Sequence, residues 1–379
     1  MTGKEFQEKG AKAEELIHSL ATESFFSDWC YLNPKLPSGK ELCDILIVFD
    51  SIAIIWQIKN IKLHDGEYNE SEVQKNLRQL EGARRTLFDL KVNVTLSNPR
   101  RGNEEFDPKL IETIFLISAF AGDEPNYSTM LDEYKGKKIH VFQKRFISNA
   151  LNYLSTIKDF VNYLVEKERC LDICSSIIIN GGEEDLLSIY LSNNCSLSGL
   201  DSDGDIIVDG GGWEALNCSE FSKENQLKLK ISKGWDDIIN RAHEAGGKYE
   251  LIAREMARLT RDERKEISQL YLSTMIDSQK VNGINTFRRV VSVGGITFCF
   301  MFHSRTFNRA QREEVLMQLC YVARVKIENK MVIGICTELE IEPTCSYNFC
   351  KIYTDTVTDK MIEKASEIQK VNGILASLG

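Results

Sequence analysis

The chain has 379 residues, 42% of them hydrophobic and 27% charged, with a formal net charge of −9 at pH 7. That length and balance suit a globular protein of two domains with substantial cores, and exclude a disordered or low-complexity chain. Residues 1–170 hold 23 basic and 26 acidic groups and residues 171–379 hold 24 and 30, so neither half is globally basic. Indiscriminate nucleic-acid binding is thereby excluded, and a nucleic-acid surface has to be local. No apolar run reaches the length of a membrane span. The eleven cysteines show no Cys-x-x-Cys spacing and read as reduced, mostly buried thiols, so the expectation is a cytoplasmic protein.

In chain order, the first pattern is helical. Glu14 lies three and seven positions before Ile17 and Ala21 and shares their inward stripe, whereas Glu15 aligns with His18 and Ser19 on a wetter face. Residues 40–59 follow, two nearly apolar runs flanking Asp50-Ser51 and interrupted by Asp44, Gln57 and Lys59. A two-residue turn at Asp50-Ser51 sets Phe49 against Ile52 and therefore Asp44 against Gln57, with Cβ atoms about 4.5–5.5 Å apart. Alternation along the strand places Lys59 on the face of Gln57, diagonally adjacent to Asp44. Asp44, the Gln57 amide oxygen and the Ile58 carbonyl offer hard oxygens to Mg²⁺ or Mn²⁺, and Lys59 can position an attacking water, a combination suited to phosphodiester hydrolysis.

These residues resemble the PD-(D/E)xK, or restriction-endonuclease-like, nuclease superfamily. Asp44 followed by Gln57-Ile58-Lys59 is similar to the D…QxK variant of Mrr-type nucleases, and Gly10-Ala-Lys-Ala-Glu-Glu-Leu-Ile resembles the helix that precedes its hairpin. The resemblance implies a metal role for Glu14, with Glu15 as the alternative, and catalytic roles for Asp44, Gln57 and Lys59. It further implies a DNA substrate, RNA not being excluded, and a setting in bacterial defence against invading DNA. Two features depart from the pattern: neutral Gln57 replaces the usual second acid, and Cys43 rather than Pro precedes Asp44.

Further along, Glu70–Leu90 reads as an amphipathic helix on which Lys75, Arg78 and Arg85 share a face, a local nucleic-acid surface that Arg84 and the loop pair Arg100-Arg101 can extend. Strands are expected at Thr113–Phe120 and Lys138–Phe142, and a long helix at Phe146–Arg169 closes the first domain at residue 170. In residues 171–379, Asp201-Ser-Asp-Gly-Asp205 lacks the sixth-position Gly and twelfth-position Glu of a calcium loop and reads as a turn. Residues 223–275 are helical, broken by a capping box at Thr260-Arg-Asp-Glu263. A helix–turn–helix reading there, with Arg254, Arg258 and Arg261, is disfavoured by Asp262, Glu263 and Glu266 at the start of the second helix.

Gly294-Gly295 marks a hairpin, followed by a helix at Arg309–Val325 capped by Asn308 and Thr306, and by strands at Met331–Cys336 and Tyr347–Tyr353. His303 reads as a surface histidine. The expected architecture is thus α/β (α+β): a mixed sheet flanked by helices over 1–170 and a second α+β domain over 171–379, the latter recognising a partner, a second copy or nucleic acid. A nuclease fold that binds without cutting, and a sensor in which the hairpin is merely buried structure, are the alternatives to a Mg²⁺-dependent or Mn²⁺-dependent endonuclease.

Overall fold

The computed structural model describes residues 15–124, 131–174, 176–280, 286–304, 308–338 and 346–372. The chain is mixed α/β and divides into two compact units, Met1–Asn225 and Gln226–Gly379. No helix among the described residues is long and apolar enough to cross a membrane.

In the first unit a helix over residues 15–25 (α1) leads to β1 (Cys30–Leu32) and to the hairpin of β2 (Ile45–Phe49) and β3 (Ile52–Lys59). A short ribbon, β4 (Leu63–His64) and β5 (Glu67–Tyr68), precedes α2 (Glu70–Arg84), which runs on into a single π-helical turn at Arg85–Asp89. A second ribbon, β6 (Val94–Asn98) and β7 (Gly102–Phe106), precedes β8 (Thr113–Phe120), β9 (Leu131–Tyr134) and β10 (Lys137–Gln143). The main sheet has the order β1-β2-β3-β8-β10-β9, with β8 parallel to both β3 and β10 and the other pairs antiparallel.

Alternation along β2 and β3 divides the core in two. Leu46 and Ile55 pack with Leu77, Leu80 and Ala83 of α2 on one face. On the other, Trp56 stacks on Phe160, which in turn touches Phe25 of α1. Asp44 and Gln57 have the parity of Leu46 and Ile55, so they project toward the α2 side.

The helix expected over Phe146–Arg169 is two helices, α3 (Lys144–Tyr153) and α4 (Ile157–Ile173). Thr156 breaks it: its hydroxyl accepts from the Asp159 N–H at 3.0 Å and caps a new helix. The boundary expected at residue 170 falls inside α4, and the units part within a later helix. The reason is a buried polar weld across that position. Lys167 and Tyr163 of α4 both donate to Glu183 Oε1, Tyr163 at 3.0 Å, and all three side chains are enclosed. Glu183 opens α5 (Glu183–Ser192), which links the parallel pair β11 (Ser176–Ile179) and β12 (Asp205–Val208); α6 (Gly212–Cys218) and the start of α7 (Glu220–Ala245) follow.

The second unit holds the rest of α7, then α8 (Glu250–Ala257), α9 (Arg261–Lys280), β13 (Thr286–Val293), β14 (Ile296–His303), α10 (Arg309–Lys326), β15 (Met331–Glu338), β16 (Asn348–Tyr353) and α11 (Asp359–Asn372). Its sheet is ordered β13-β14-β15-β16, with β14 parallel to β15 and hairpin partners antiparallel. Trp235 and Tyr271 pack edge-on against Phe298 and Phe300 on one face. On the other, Gly334 makes room for α10: a Cβ there would collide with Cys320 Sγ. Asn308 and Gln311 form the capping box of α10, while Thr306 lies outside the described residues.

Candidate active site

The hairpin register is the one its sequence dictates. Asp50 takes a left-handed φ of 52°, as the first position of a primed two-residue turn demands, and Phe49 pairs with Ile52. The ladder continues to Ile45 opposite Trp56, which puts Asp44 beside Gln57 at the end of β3. Asp44 N donates to Trp56 O at 3.2 Å. Its carboxylate Oδ2 accepts from Gln57 Nε2 at 2.7 Å and from the Ile58 backbone N–H. Both side chains are buried, Asp44 at 6% exposure and Gln57 at 9%. Four of the expected site residues, Asp44, Gln57, Ile58 and Lys59, therefore meet at one strand end. Glu14 lies outside the described residues, and Glu15 is exposed at the start of the described part of α1.

Three further residues complete the cluster. Lys59 Nζ lies 3.1 Å from Glu72 Oε2, with side-chain exposures of 27% and 43%. The Lys59 hydrogen bond and charge hold the Glu72 carboxyl below its usual range. Asn76, one turn further along α2, is fully buried; its amide donates to Gln57 O at 3.4 Å and accepts from Ser118 Oγ at 2.8 Å. Ser118 on β8 is the register partner of Gln57. The sequence carried a signal for this set: Glu72, Asn76 and Leu80 recur at i, i+4, i+8, so two polar groups occupy the stripe that Leu80 sends into the core. A polar residue on an inward stripe needs a partner, and here the partners are the ends of β3 and β8.

The donor chemistry fits a hard divalent cation. Asp44 and Glu72 carry carboxylates, Gln57 an amide, and the backbone of Ile58 turns its polar edge toward Asp44, since its N–H reaches that carboxylate. The Gln57 amide presents nitrogen to Asp44, the orientation an anionic neighbour selects. Rotation about its last side-chain bond would exchange nitrogen for oxygen.

The basic surface is smaller than expected. Lys75, Arg78 and Arg85 are exposed and make no ion pair among the described residues, Arg85 standing in the π-helical turn beyond α2. Arg84 does not extend it, being held by Glu81 and Asp89. Nor do Arg100 and Arg101, which converge on buried Asp28, Arg101 also on Glu104.

In the second unit the Thr260–Glu263 capping box is formed in both directions. The cations around it are spent on local carboxylates: Arg254 on Glu250, Arg258 on Glu255, and Arg261 with Arg264 on Asp236. Those contacts favour an ordinary helical hairpin over a DNA-reading one. His303 is not a surface histidine. It is 1% exposed, donates from Nδ1 to Ser304 O at 2.7 Å and faces Arg312 at 3.3 Å through Nε2, because the end of β14 lies beneath α10. In the first unit Asp201 is gripped by Arg169 at 2.9 and 3.0 Å, and Asp205 belongs to β12, consistent with a turn there.

Compared with family models, curated proteins and solved structures, the chain matches none.

Proposed function

We propose that the first unit is a metal-dependent endonuclease that hydrolyses DNA phosphodiester bonds. The observation that carries this reading is the meeting of Asp44, Gln57 and Lys59 at the end of a hairpin strand, with Glu72 on the helix that covers it. The order of elements, a hairpin followed by a helix and a parallel third strand, supports the resemblance its motif suggests.

Asp44, Gln57, Ile58 and Glu14 are the residues that would hold the cation. When bound, it would polarise the phosphoryl oxygen and lower the pKa of a coordinated water. The chain's own groups set the geometry of attack. The Ile58 N–H and the Gln57 amide fix the plane of the Asp44 carboxylate. Lys59 Nζ, on the same face and on a partly exposed side chain, orients the water that attacks phosphorus as the bond to the leaving oxygen breaks. Asn76 and Ser118 hold β3, β8 and α2 in register behind them, so the reacting groups ride on rigid elements. Lys75 and Arg78, exposed on the same helix as Glu72, would contact substrate phosphates.

One observation favours a second reading. Gln57 is neutral and turns its nitrogen toward Asp44, an arrangement already satisfied without a cation, as in a nuclease fold kept for binding.

Cleavage of linear, supercoiled and single-stranded DNA and of RNA, with Mg²⁺ or Mn²⁺, separates the two. Metal-dependent cutting by wild type that is lost in both Asp44→Ala and Lys59→Ala is the expected result. Equal inertness of wild type and both variants would leave the binding reading in its place.

A further inference from the structure

We propose that Glu72, in the first turn of α2, is an acidic ligand of the cation site alongside Asp44 and supplies from a helix the negative charge that Gln57 lacks on β3. The inference rests on the reading of this strand end as a divalent-cation nuclease centre.

The hairpin offers the cation too little charge. Asp44 contributes one formal negative charge, while the Gln57 amide and the Ile58 carbonyl contribute none. Mg²⁺ sites of this kind combine one or two carboxylates with waters and substrate phosphate, and affinity rises with ligand charge. Glu72 reaches the β3 end: Oε2 stands 3.1 Å from Lys59 Nζ, and Lys59 shares the face of Gln57 diagonally from Asp44.

The anchoring of α2 favours the same assignment. Asn76, one turn beyond Glu72, is enclosed and bonded both to Gln57 O and to Ser118 Oγ. The backbone that carries Glu72 is thus tied to the strand that carries Gln57. The Glu72 side chain itself is 43% exposed and can re-aim at little cost. Lys59 occupies Oε2, and Oε1 makes no hydrogen bond among the described residues. A carboxylate so placed can keep one oxygen on Lys59 and give the other to the cation.

The plainer account is a first-turn glutamate that complements the helix dipole and makes a surface ion pair. Glu70 fits that account. It lies in the same turn and, among the described residues, bonds only Gln74, at 2.9 Å.

The test is Mn²⁺ binding to the full chain, followed by calorimetry and by the paramagnetic resonance of free Mn²⁺, with no substrate present. The variants are Asp44→Asn, Glu72→Gln, Glu70→Gln and the double exchange Gln57→Glu with Glu72→Gln. We expect Asp44→Asn to abolish binding, Glu72→Gln to weaken it about tenfold or more, and Glu70→Gln to leave it within about twofold. Moving the charge back to the strand in the double variant should restore most of the wild-type affinity. Unchanged or tighter binding by Glu72→Gln, with Asp44→Asn still null, would overturn the proposal and leave Glu72 as a partner of Lys59 alone. Wild type that binds no Mn²⁺, or binds it equally in Asp44→Asn, would remove the cation-centre reading itself and this inference with it. Thermal melting of each variant separates lost ligation from lost folding; the exposure of Glu72 predicts an unchanged midpoint.

Discussion

Both units contain the same run of elements: an antiparallel hairpin whose second strand is joined, through a connection containing a helix, to a parallel neighbour. In the first it is β2-β3, α2 and β8; in the second, β13-β14, α10 and β15. At the end of β3 stand Asp44, Gln57 and Lys59, with Glu72 above. At the end of β14 stands His303, opposite Thr286 and beneath Arg312, and the hairpin contributes no carboxylate there. The helix cations differ too. Arg312 is 2.6 Å from Ser346 Oγ and 3.6 Å from Glu338, and Arg309 pairs with Glu313, whereas Lys75 and Arg78 of α2 remain unpaired among the described residues. Topology alone supplies a sheltered strand end; a hairpin carboxylate, and helix cations that make no ion pair among the described residues, distinguish the end for which cation and phosphate chemistry is proposed.

The largest effect expected from that contrast is catalytic. Asp44→Ala should reduce metal-dependent cleavage at least on the order of 10³-fold, and Lys59→Ala by on the order of 10²-fold to 10⁴-fold, while His303→Ala leaves the rate within about twofold. A comparable loss in His303→Ala, measured as kcat/KM on the same DNA, would break the asymmetry between the two strand ends.

Next comes stability in the second unit, where cations are used inwardly. Arg261 and Arg264 have side chains only 5% and 1% exposed, and both rest on Asp236 at 2.6 and 2.8 Å. Asp236→Ala leaves two enclosed guanidinium groups without their counter-ion, and urea unfolding should show a loss of about 3–5 kcal/mol. A loss under about 1 kcal/mol would mean that these cations are solvated and available to a partner, as those of α2 are.

What could be read from the sequence follows the same division. The β2-β3 register, and with it the Asp44–Gln57 pairing, was legible because a two-residue turn between apolar runs leaves one pairing that keeps both faces consistent. β8, the Gly294-Gly295 hairpin and α10 were legible for similar local reasons. The ribbons β4-β5 and β6-β7 were not, since their strands are short and largely polar and are set by tertiary context. The domain boundary was missed because the Lys167–Glu183 weld joins residues 16 apart through burial that no local pattern announces. Glu72 escaped because the motif places its acids on the hairpin and on the helix before it; the spacing of Glu72 with Asn76 and Leu80 marks the inward stripe of α2, but the packing of α2 is what brings that carboxylate to Lys59.

A third, smaller effect depends on pH. His140 on β10 is fully enclosed, and burial depresses its pKa from 6.5 to about 4 despite a 2.9 Å contact with Glu168. The unfolded chain therefore binds more protons than the folded one between pH 6.5 and 4. The stabilisation is fully present above about pH 6.5 and is lost as pH falls toward 4, amounting to about 2 kcal/mol between pH 7.5 and 5. Urea unfolding of the wild type at the two pH values should show that loss, and His140→Phe should remove most of it. Since His140 belongs to the sheet that carries the site, a pH effect on cleavage near 5 has to be corrected for this loss of folded protein before it is assigned to Lys59 or Asp44.

The smallest effect bears most directly on what α2 contacts. A cation that neutralises a DNA phosphate releases a condensed counter-ion, so each such side chain contributes about 0.9 to the slope of log K against log salt concentration. Lys75→Ala and Arg78→Ala should each reduce that slope by about one and leave the thermal midpoint unchanged, because both side chains are exposed and bear no ion pair among the described residues. Arg254→Ala and Arg258→Ala on α8 serve as controls: these cations already face Glu250 and Glu255, so the slope should not move. If the α8 variants changed the slope and the α2 variants did not, the nucleic-acid surface would belong to the second unit. Asp44 would then stand at a strand end with no phosphate-binding helix over it, and the sheltered hairpin would have to be explained by packing alone.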